Sequence, residues 1–335
     1  MGTGVVRWGV LGVARIATQK VVPALQRSRF GEVVAIASRD AEKAREAAHA
    51  LGIPRAHGSY ESLLADPEVD AVYNPLPNHL HLPWSVAALE RGKHVLCEKP
   101  IALSVAEAET LLAARDRANR KVQEAFMVRT HPQWLAVRDL VRAGRIGALG
   151  SLTCSFSYFN EDPSNVRNVP AYGGGALFDI GCYPVTLARF LFEREPWRVV
   201  GVLERDPRFG TDRLASAILD FAAGQATFTC ATQLVPYQRM HVLGARGRIE
   251  VEVPFNAPPD RPCRLRVDDG RDVFGGGVET LTFETCDQYL IQGDLFAQAV
   301  LDDGPVPLPL EDSLQNMRVI EALFRSAASG SWERP

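Results

Sequence analysis

Lys99, Asp179 and Tyr183 are the residues whose types and settings suit proton movement beside a transferred charge. The stretch His94-Val95-Leu96-Cys97-Glu98-Lys99-Pro100 passes from a buried strand to acid, base and proline, so the charged pair must leave the core. In open α/β sheets ligands bind beyond the carboxyl ends of the parallel strands, which sets Lys99 at the rim of a cleft as a candidate catalytic cation. The Lys99-Pro100 bond is open to the cis form, because a tertiary amide loses most of the trans preference. The plainer reading is a surface lysine before a helix-initiating proline. Asp179 and Tyr183 are four apart, so on a helix a carboxylate and a phenol share one face. A phenol ionises near ~10 in water and a cation at close range favours phenolate, so Lys99 would make Tyr183 a usable acid or base. A core tyrosine bonded to Asp179 is the structural alternative. Gly173-Gly174-Gly175 just upstream make an unfavourable helix start unless something approaches the backbone closely.

The elements that position these residues alternate in type. Val5 to Leu11 reads as a strand, followed by Gly12-Val13-Ala14-Arg15-Ile16-Ala17 and a helix with Ile16, Val21 and Leu25 on one face. The layout is that of the dinucleotide fingerprint G-x-G-x-x-G, with alanine at the second and third glycines. Small residues there let a pyrophosphate reach backbone N–H groups at a helix N-terminus. A second strand, Val33 to Ala37, ends in Ser38-Arg39-Asp40. Ser38 and Arg39 suit a 2′-phosphate and favour NADP; Asp40 reads as a helix N-cap and keeps NAD open. A further strand, Asp70 to Asn74, opens into Pro75-Leu76-Pro77-Asn78-His79-Leu80-His81, whose proline-fixed backbone suits a ribose or nicotinamide. Two histidines with no carboxylate or thiol beside them are thin grounds for a metal, and none is assigned. Ser104 and Glu107 form a capping box for a helix to about Asn119, followed by a strand from Lys121 to Phe126. Five or six strands alternating with helices predict a doubly wound parallel sheet over residues 1–126.

From residue 127 the pattern changes. After a helix from Gln133 to Arg142, strands are expected from Ser151 to Phe159 and then in series to Leu265–Val267, with short turns that imply antiparallel pairing. The expectation for 127–335 is an α+β domain with a large, mostly antiparallel open sheet. Helices near 288–301 and 311–326 cover it, the last packing back on the first domain. An open face of that size suits a homodimer or homotetramer. At 335 residues two domains are the natural division. Lys and Arg total 37 against 40 Asp and Glu, which argues against nucleic acid or an anionic membrane as partner. The six cysteines are dispersed without C-x-x-C, as in reduced cytoplasmic proteins. No window approaches a membrane span in this reading, and the expected location is the cytoplasm.

With Glu98-Lys99-Pro100, the glycine run and Asp179-Ile180-Gly181-Cys182-Tyr183, the chain resembles the glucose-fructose oxidoreductase, inositol dehydrogenase and MocA-like family over nearly its whole length. Tyrosine at 183 is similar to the dihydrodiol dehydrogenase and NADP-linked xylose dehydrogenase subgroup. The resemblance implies hydride transfer between a nicotinamide and a carbinol carbon of an aldose, a cyclic polyol or a trans-dihydrodiol. Tyr183 exchanges the proton, Lys99 supports the charge, and Asp179 orients the lysine or a substrate hydroxyl. It places the cofactor, NADP before NAD, along Gly12 to Ile16, Ser38 and Arg39, Pro75, Leu76, Asn78 and His81, and Glu98 with Lys99. Asn160, Asn165 and Arg167, on a polar loop, are candidates for substrate hydroxyls. Some relatives of this fold are nucleotide-binding regulatory proteins without turnover, which is the competing function; the pairing of Lys99 with Tyr183 favours an enzyme.

Overall fold

The computed structural model describes residues 4–335. Short apolar runs build the first sheet: β1 (Val6–Leu11), β2 (Gly31–Ala37), β3 (Arg55–His57), β4 (Ala71–Asn74), β5 (His94–Cys97) and β6 (Val122–Glu124). They pair in the order β3-β2-β1-β4-β5-β6, every pair parallel. Strand order therefore reverses between β1 and β4, the switch point at which doubly wound sheets bind ligands. β3 and the helix Tyr60–Leu64 that follows it lie outside the elements expected from sequence. Arg-Ala-His carries little apolar signal; Arg55 pairs with Asp66 at 3.0 Å, and the His57 ring meets the same carboxylate at 3.1 Å.

The helix after β1 begins with a π turn, Ala17–Val21, and continues as Val22–Leu25. A π turn bonds i to i+5, which explains why the inward residues Ile16 and Val21 are five apart rather than four. They join Trp8, Leu25, Tyr73 and Leu96 in one core. Phe296 completes it, its ring 5.5 Å from that of Trp8. The segment Asp287–Leu314 thus belongs to the first compact unit with Met1–Met127, and Val128–Cys286 with Gln315–Pro335 makes the second. This differs from the contiguous division at 126/127. The returning element is the helix Gln288–Leu301, whose Gly293 lets Leu25 pack on its backbone, and the last helix, Leu310–Ser329, is counted mostly with the second unit.

The second unit is built on β7 (Leu149–Phe159), β8 (Arg198–Arg205), β9 (Asp212–Asp220), β10 (Gln225–Ala231), β11 (Gln233–Gly244), β12 (Arg248–Val251), β13 (Cys263–Asp268) and β14 (Val278–Phe283). Their order is β14-β13-β12-β11-β7-β10-β9-β8. Among the described residues β7 with β10 is the parallel pair, and the rest are antiparallel. One face is apolar: Leu152, Cys154 and Phe156 of β7 are buried, and so is nearly every residue of the helix Cys182–Phe192. The stretch Pro170–Phe192 comes closer to a membrane span than the sequence reading expects, being long and apolar enough by composition. Its apolar surface is spent inside the unit, since 89% of the most apolar window is buried. All six cysteines are free thiols.

Buried His131 caps the helix Pro132–Arg142, its Nδ1 accepting from the Gln133 N–H at 3.2 Å. Its proton therefore sits on Nε2, which faces Cys286 Sγ at 3.3 Å. Burial pushes this ring from 6.5 down to about 4. Below pH 6.5 the unfolded chain takes up a proton that the folded ring refuses, so this contribution to stability is lost as pH falls from 6.5 towards 4. His131→Asn keeps an acceptor at the cap and removes the titration. Urea midpoints across that window should fall less steeply for the variant; parallel profiles would assign the acid sensitivity to other groups.

Candidate active site

In the first unit the chain leaves β1 at Gly12, whose φ of +94° favours glycine; a Cβ there would also lie 3.0 Å from Leu76 Cδ2 and 3.6 Å from the Tyr60 hydroxyl. Val13 and Ala14 are half-buried, Arg15 is exposed and Ile16 turns inward. At the end of β2, Ser38 is buried and Arg39 exposed. The Arg39 guanidinium lies close enough to act on two neighbours. Burial raises Tyr60 and Arg39 opposes it; burial lowers His79 and Arg39 adds to it. Asp40 caps the helix Ala41–Leu51, accepting from the N–H groups of Glu42 and Lys43 at 3.0 and 3.3 Å. Its Oδ1 is engaged in the cap, and Ser38 Oγ accepts from the Asp40 N–H at 3.2 Å, so Arg39 extends from this strand end beside a capping acid.

Beyond β4, Pro75 and Leu76 are buried and Asn78 opens a single 3₁₀ turn, Asn78–Leu80. His81 does not line a cofactor surface as the sequence reading has it. It is fully buried, with Nδ1 and Nε2 each 2.7 Å from a carbonyl oxygen, those of Pro100 and Leu76. Beyond β5, the Glu98 carboxylate accepts from the Tyr73 hydroxyl at 2.8 Å and from the Lys99 N–H at 3.3 Å. Glu98 is thus tied to the sheet it leaves. Lys99 is half-buried and its bond to Pro100 is cis. The left-handed Gly12, the pair Ser38 and Arg39, and the Leu76 turn all stand at the carboxyl ends of parallel strands, a set that fits a dinucleotide.

In the second unit the glycine run is explained by what touches it. A Cβ on Gly174 would lie 2.4 Å from the Arg167 carbonyl oxygen, and one on Gly175, at φ +120°, 2.0 Å from Asp212 Oδ1. Asp212 Oδ2 also accepts from the Leu177 N–H at 2.7 Å, so a buried carboxylate anchors the start of the motif segment. Burial pushes Asp212 up to about 6 against those backbone donors. The segment itself starts as a π turn, Leu177–Gly181, and not as the regular helix expected. Gly181 packs there on Leu177 and on Cys230 Sγ, with no room for a side chain.

Asp179 is buried and its Oδ2 accepts twice, from the Tyr158 hydroxyl at 2.6 Å and from Arg167 Nε at 2.9 Å. Asp179 first, and then the phenols of Tyr158 and Tyr183, hold the Arg167 guanidinium above its ordinary range. Burial and then Asp179 raise the Tyr158 phenol in turn. Tyr183 is buried in an aromatic shell, its centroid 5.3 Å from Phe255 and 5.9 Å from Phe156. Within its own unit Arg167 is a cation in range of Tyr183. The asparagines grouped with Arg167 are loop-building residues. Asn160 Oδ1 accepts from the Asp162 N–H and Asn168 Nδ2, and Asn165 Oδ1 accepts from the Arg167 N–H. Tyr60, Tyr158 and Asp212 are absent from the sequence-based site. Tyr158 is legible as an inward residue of β7, whereas nothing local marks Asp212.

Residues 6–126 match the oxidoreductase family with an NAD-binding Rossmann fold, GFO_IDH_MocA, and residues 134–250 match the GFO/IDH/MocA C-terminal domain. A D-xylose 1-dehydrogenase (NADP⁺) of Haloferax volcanii is 39% identical over 97% of this chain and 98% of its own. The chain belongs to the GFO/IDH/MocA oxidoreductase family. A trans-1,2-dihydrobenzene-1,2-diol dehydrogenase of Xenopus laevis is 32% identical over 73% of this chain and 74% of its own. Among solved structures, a 3-ketoreductase from Actinomadura kijaniata in complex with NADP and TDP-benzene superposes with a TM-score of 0.89 at 31% identity, covering 96% of this chain and 98% of that one. This member of the family is an NAD(P)-dependent oxidoreductase, with a parallel Rossmann sheet and a mixed, mostly antiparallel second sheet.

Gly175→Ala tests the anchoring of the motif segment. A methyl group 2.0 Å from Asp212 Oδ1, on a backbone at φ +120°, should cost roughly 3 kcal/mol or more in urea denaturation. Gly52→Ala, at φ +65° with nothing within 4 Å, should cost only about 1 kcal/mol. Equal losses would mean that Asp212 gives way freely and anchors nothing.

Proposed function

We propose that this oxidoreductase interconverts a sugar hydroxyl and its carbonyl form with NADP as the preferred cofactor, an aldose oxidised at its hemiacetal carbon being the substrate class favoured. When bound, the nicotinamide supplies the hydride acceptor or donor. Tyr183 takes the proton of the reacting hydroxyl, or returns it, and Lys99 supports the charge that builds on that oxygen. Asp179 holds Arg167 and Tyr158, and so maintains a cation within reach of the Tyr183 phenol. The observation that carries this reading is that arrangement in the second unit: a tyrosine in an apolar aromatic shell, attended by an arginine that a buried carboxylate keeps in place. A core tyrosine kept only for packing would need no such attendant.

The NADP preference is supported by the exposed Arg39 that follows Ser38 at the strand end, with Oδ1 of Asp40 turned to its helix cap. It agrees with the cofactor named for the xylose dehydrogenase. Its sugar substrate likewise supports an aldose over a cyclic polyol or a diol.

Reduced-nicotinamide formation with D-xylose, D-glucose, myo-inositol, a trans-dihydrodiol and, in the reverse direction, a keto-sugar nucleotide tests the substrate class. Turnover of an aldose with NADP ahead of NAD is the expected outcome; turnover of the diol alone would reject the sugar assignment. Tyr183→Phe should lower kcat by roughly 10²–10⁴-fold with cofactor affinity near wild type, and a near-normal kcat would remove Tyr183 from proton transfer. Arg39→Ala should weaken NADP about tenfold or more while leaving NAD nearly unchanged, as read by kcat/KM for each cofactor. Equal effects on both would take the 2′-phosphate away from Arg39.

The outward face of the second sheet is proposed to bind a second copy of the chain. One row across it, Val200, Ile218, Thr227, Thr153, His241, Glu250, Arg266 and Thr280, is mostly uncharged, and Val202 beside it is 73% exposed. Light scattering of purified protein should give at least a dimer, and Val202→Glu should shift it towards monomer; a monomeric wild type would end this assignment.

A further inference from the structure

Tyr60 joins the first unit without a sequence signal, and the roles assigned above leave it unused. Ser59 caps the helix Tyr60–Leu64, its Oγ accepting from the Ser62 N–H at 3.1 Å, which sets Tyr60 at the first helical position. One turn on, Leu63 is seated on β1: a Cβ on Gly9 would lie 2.7 Å from Leu63 Cδ2, so the bare glycine admits the helix against the strand. Tyr60 is 6% exposed, and its ring meets that of Trp84 edge-on, with centroids 4.8 Å apart. Its hydroxyl ends beside the Gly12 turn, 3.6 Å from where a Cβ on Gly12 would stand. The strand ladder sets the side of that turn. Gly12 N–H donates to the Ala37 carbonyl at 2.8 Å, and Ser38 N–H to the His57 carbonyl at 3.1 Å. The order β3-β2-β1 therefore brings three strand ends together, with Arg39 one residue beyond Ser38 and Tyr60 three beyond His57. The Arg39 guanidinium lies close enough to oppose the rise that burial gives the Tyr60 phenol. That rise keeps the hydroxyl protonated at neutral pH, a donor as well as an acceptor. In doubly wound sheets the pyrophosphate sits at the first turn and the adenosine ribose at the end of the second strand. A hydroxyl on the β2 side of Gly12 falls between the two.

We infer that Tyr60 is a specificity-determining residue for a ribose 2′-phosphate, its hydroxyl donating to a phosphate oxygen while it accepts from the Arg39 guanidinium. The phosphate then meets a neutral donor and a braced cation together. Held by the Ser59 cap and the Trp84 ring, the phenol is in place before the cofactor arrives and loses little freedom on binding. The pair discriminates because a 2′-hydroxyl brings no charge for the guanidinium to meet. The inference rests on the NADP preference proposed above, with Arg39 as its cation, and adds a second residue from a different strand connection.

The test is NADPH and NADH binding by fluorescence titration of the full-length protein, for wild type, Tyr60→Phe, Arg39→Ala and the double variant. Tyr60→Phe keeps the ring against Trp84 and removes only the hydroxyl. It should weaken NADPH about tenfold and leave NADH within about twofold. In the Arg39→Ala background the same change should weaken NADPH by only about threefold, since the two groups act on one phosphate. Equal weakening of NADPH and NADH would reduce Tyr60 to packing beside Gly12 and overturn the inference, and so would unchanged NADPH binding. Fully additive losses would also overturn it, because Arg39 would then stand without the brace. If Arg39→Ala abolishes the NADPH preference while Tyr60→Phe retains it, Tyr60 alone loses its role. A wild type that binds NADPH no more tightly than NADH would end the cofactor reading, and Tyr60 falls with it.

Discussion

In-register pairing fixes the level at which the chain leaves the first sheet. Leu11 stands opposite Ala37, Val10 opposite Tyr73, and Asn74 opposite Cys97. The residues that follow, Gly12, Ser38, Pro75 and Glu98, therefore leave at one level along neighbouring strands. The ladder extends a step beyond the strands themselves, with Gly12 N–H bonded to the Ala37 carbonyl and Glu98 N–H to that of Asn74. Parallel strands all point their carboxyl ends the same way, so groups as far apart in sequence as Gly12 and Glu98 share one edge. A slip of one residue in any of these pairings would turn every side chain on that strand to the other face.

The second unit solves a different problem, which is to hold charge next to an apolar aromatic cluster. A buried carboxylate needs partners, and Asp179 accepts from both a phenol and a guanidinium. Asp212 is held by backbone N–H donors at the start of the same segment. Glycine at 174 and 175 is what admits these neighbours: side chains there would displace the Arg167 carbonyl and the Asp212 carboxylate. The two motif segments share one further feature. Each opens with a π turn, Ala17–Val21 and Leu177–Gly181, where the extra residue per turn shifts the side chains that follow.

Much of this protein was legible in its sequence because the signals are local. Apolar runs ending in small or charged residues mark β1, β2, β4 and β5, and Asp40 and Ser104 cap the helices that their positions suggest. The run Glu98-Lys99-Pro100, the glycine triplet and the pair Asp179 and Tyr183 marked the segments of interest and the family to which the chain belongs. Hydrophobic alternation gave most of the second sheet. It failed at β3, where the two polar residues of Arg-Ala-His are both tied to Asp66, and at the exposed edge strand β14.

What tertiary structure alone decided was partnership, because hydrogen bonds and packing join residues remote in sequence. Spacing puts His81 in a loop that faces a ligand; the fold turns it inward onto Leu76 and Pro100. Asn160 and Asn165 read from sequence as candidates for substrate hydroxyls, and the fold also uses their Oδ1 atoms to shape their own loop. Asp212 has no local signature, and it is the reason for a glycine thirty-seven positions earlier. The helix Gln288–Leu301 reads as a cover for the second sheet until Phe296 is seen against Trp8. Sequence periodicity determines which face of an element is apolar, and only the closed core determines which other apolar face it meets.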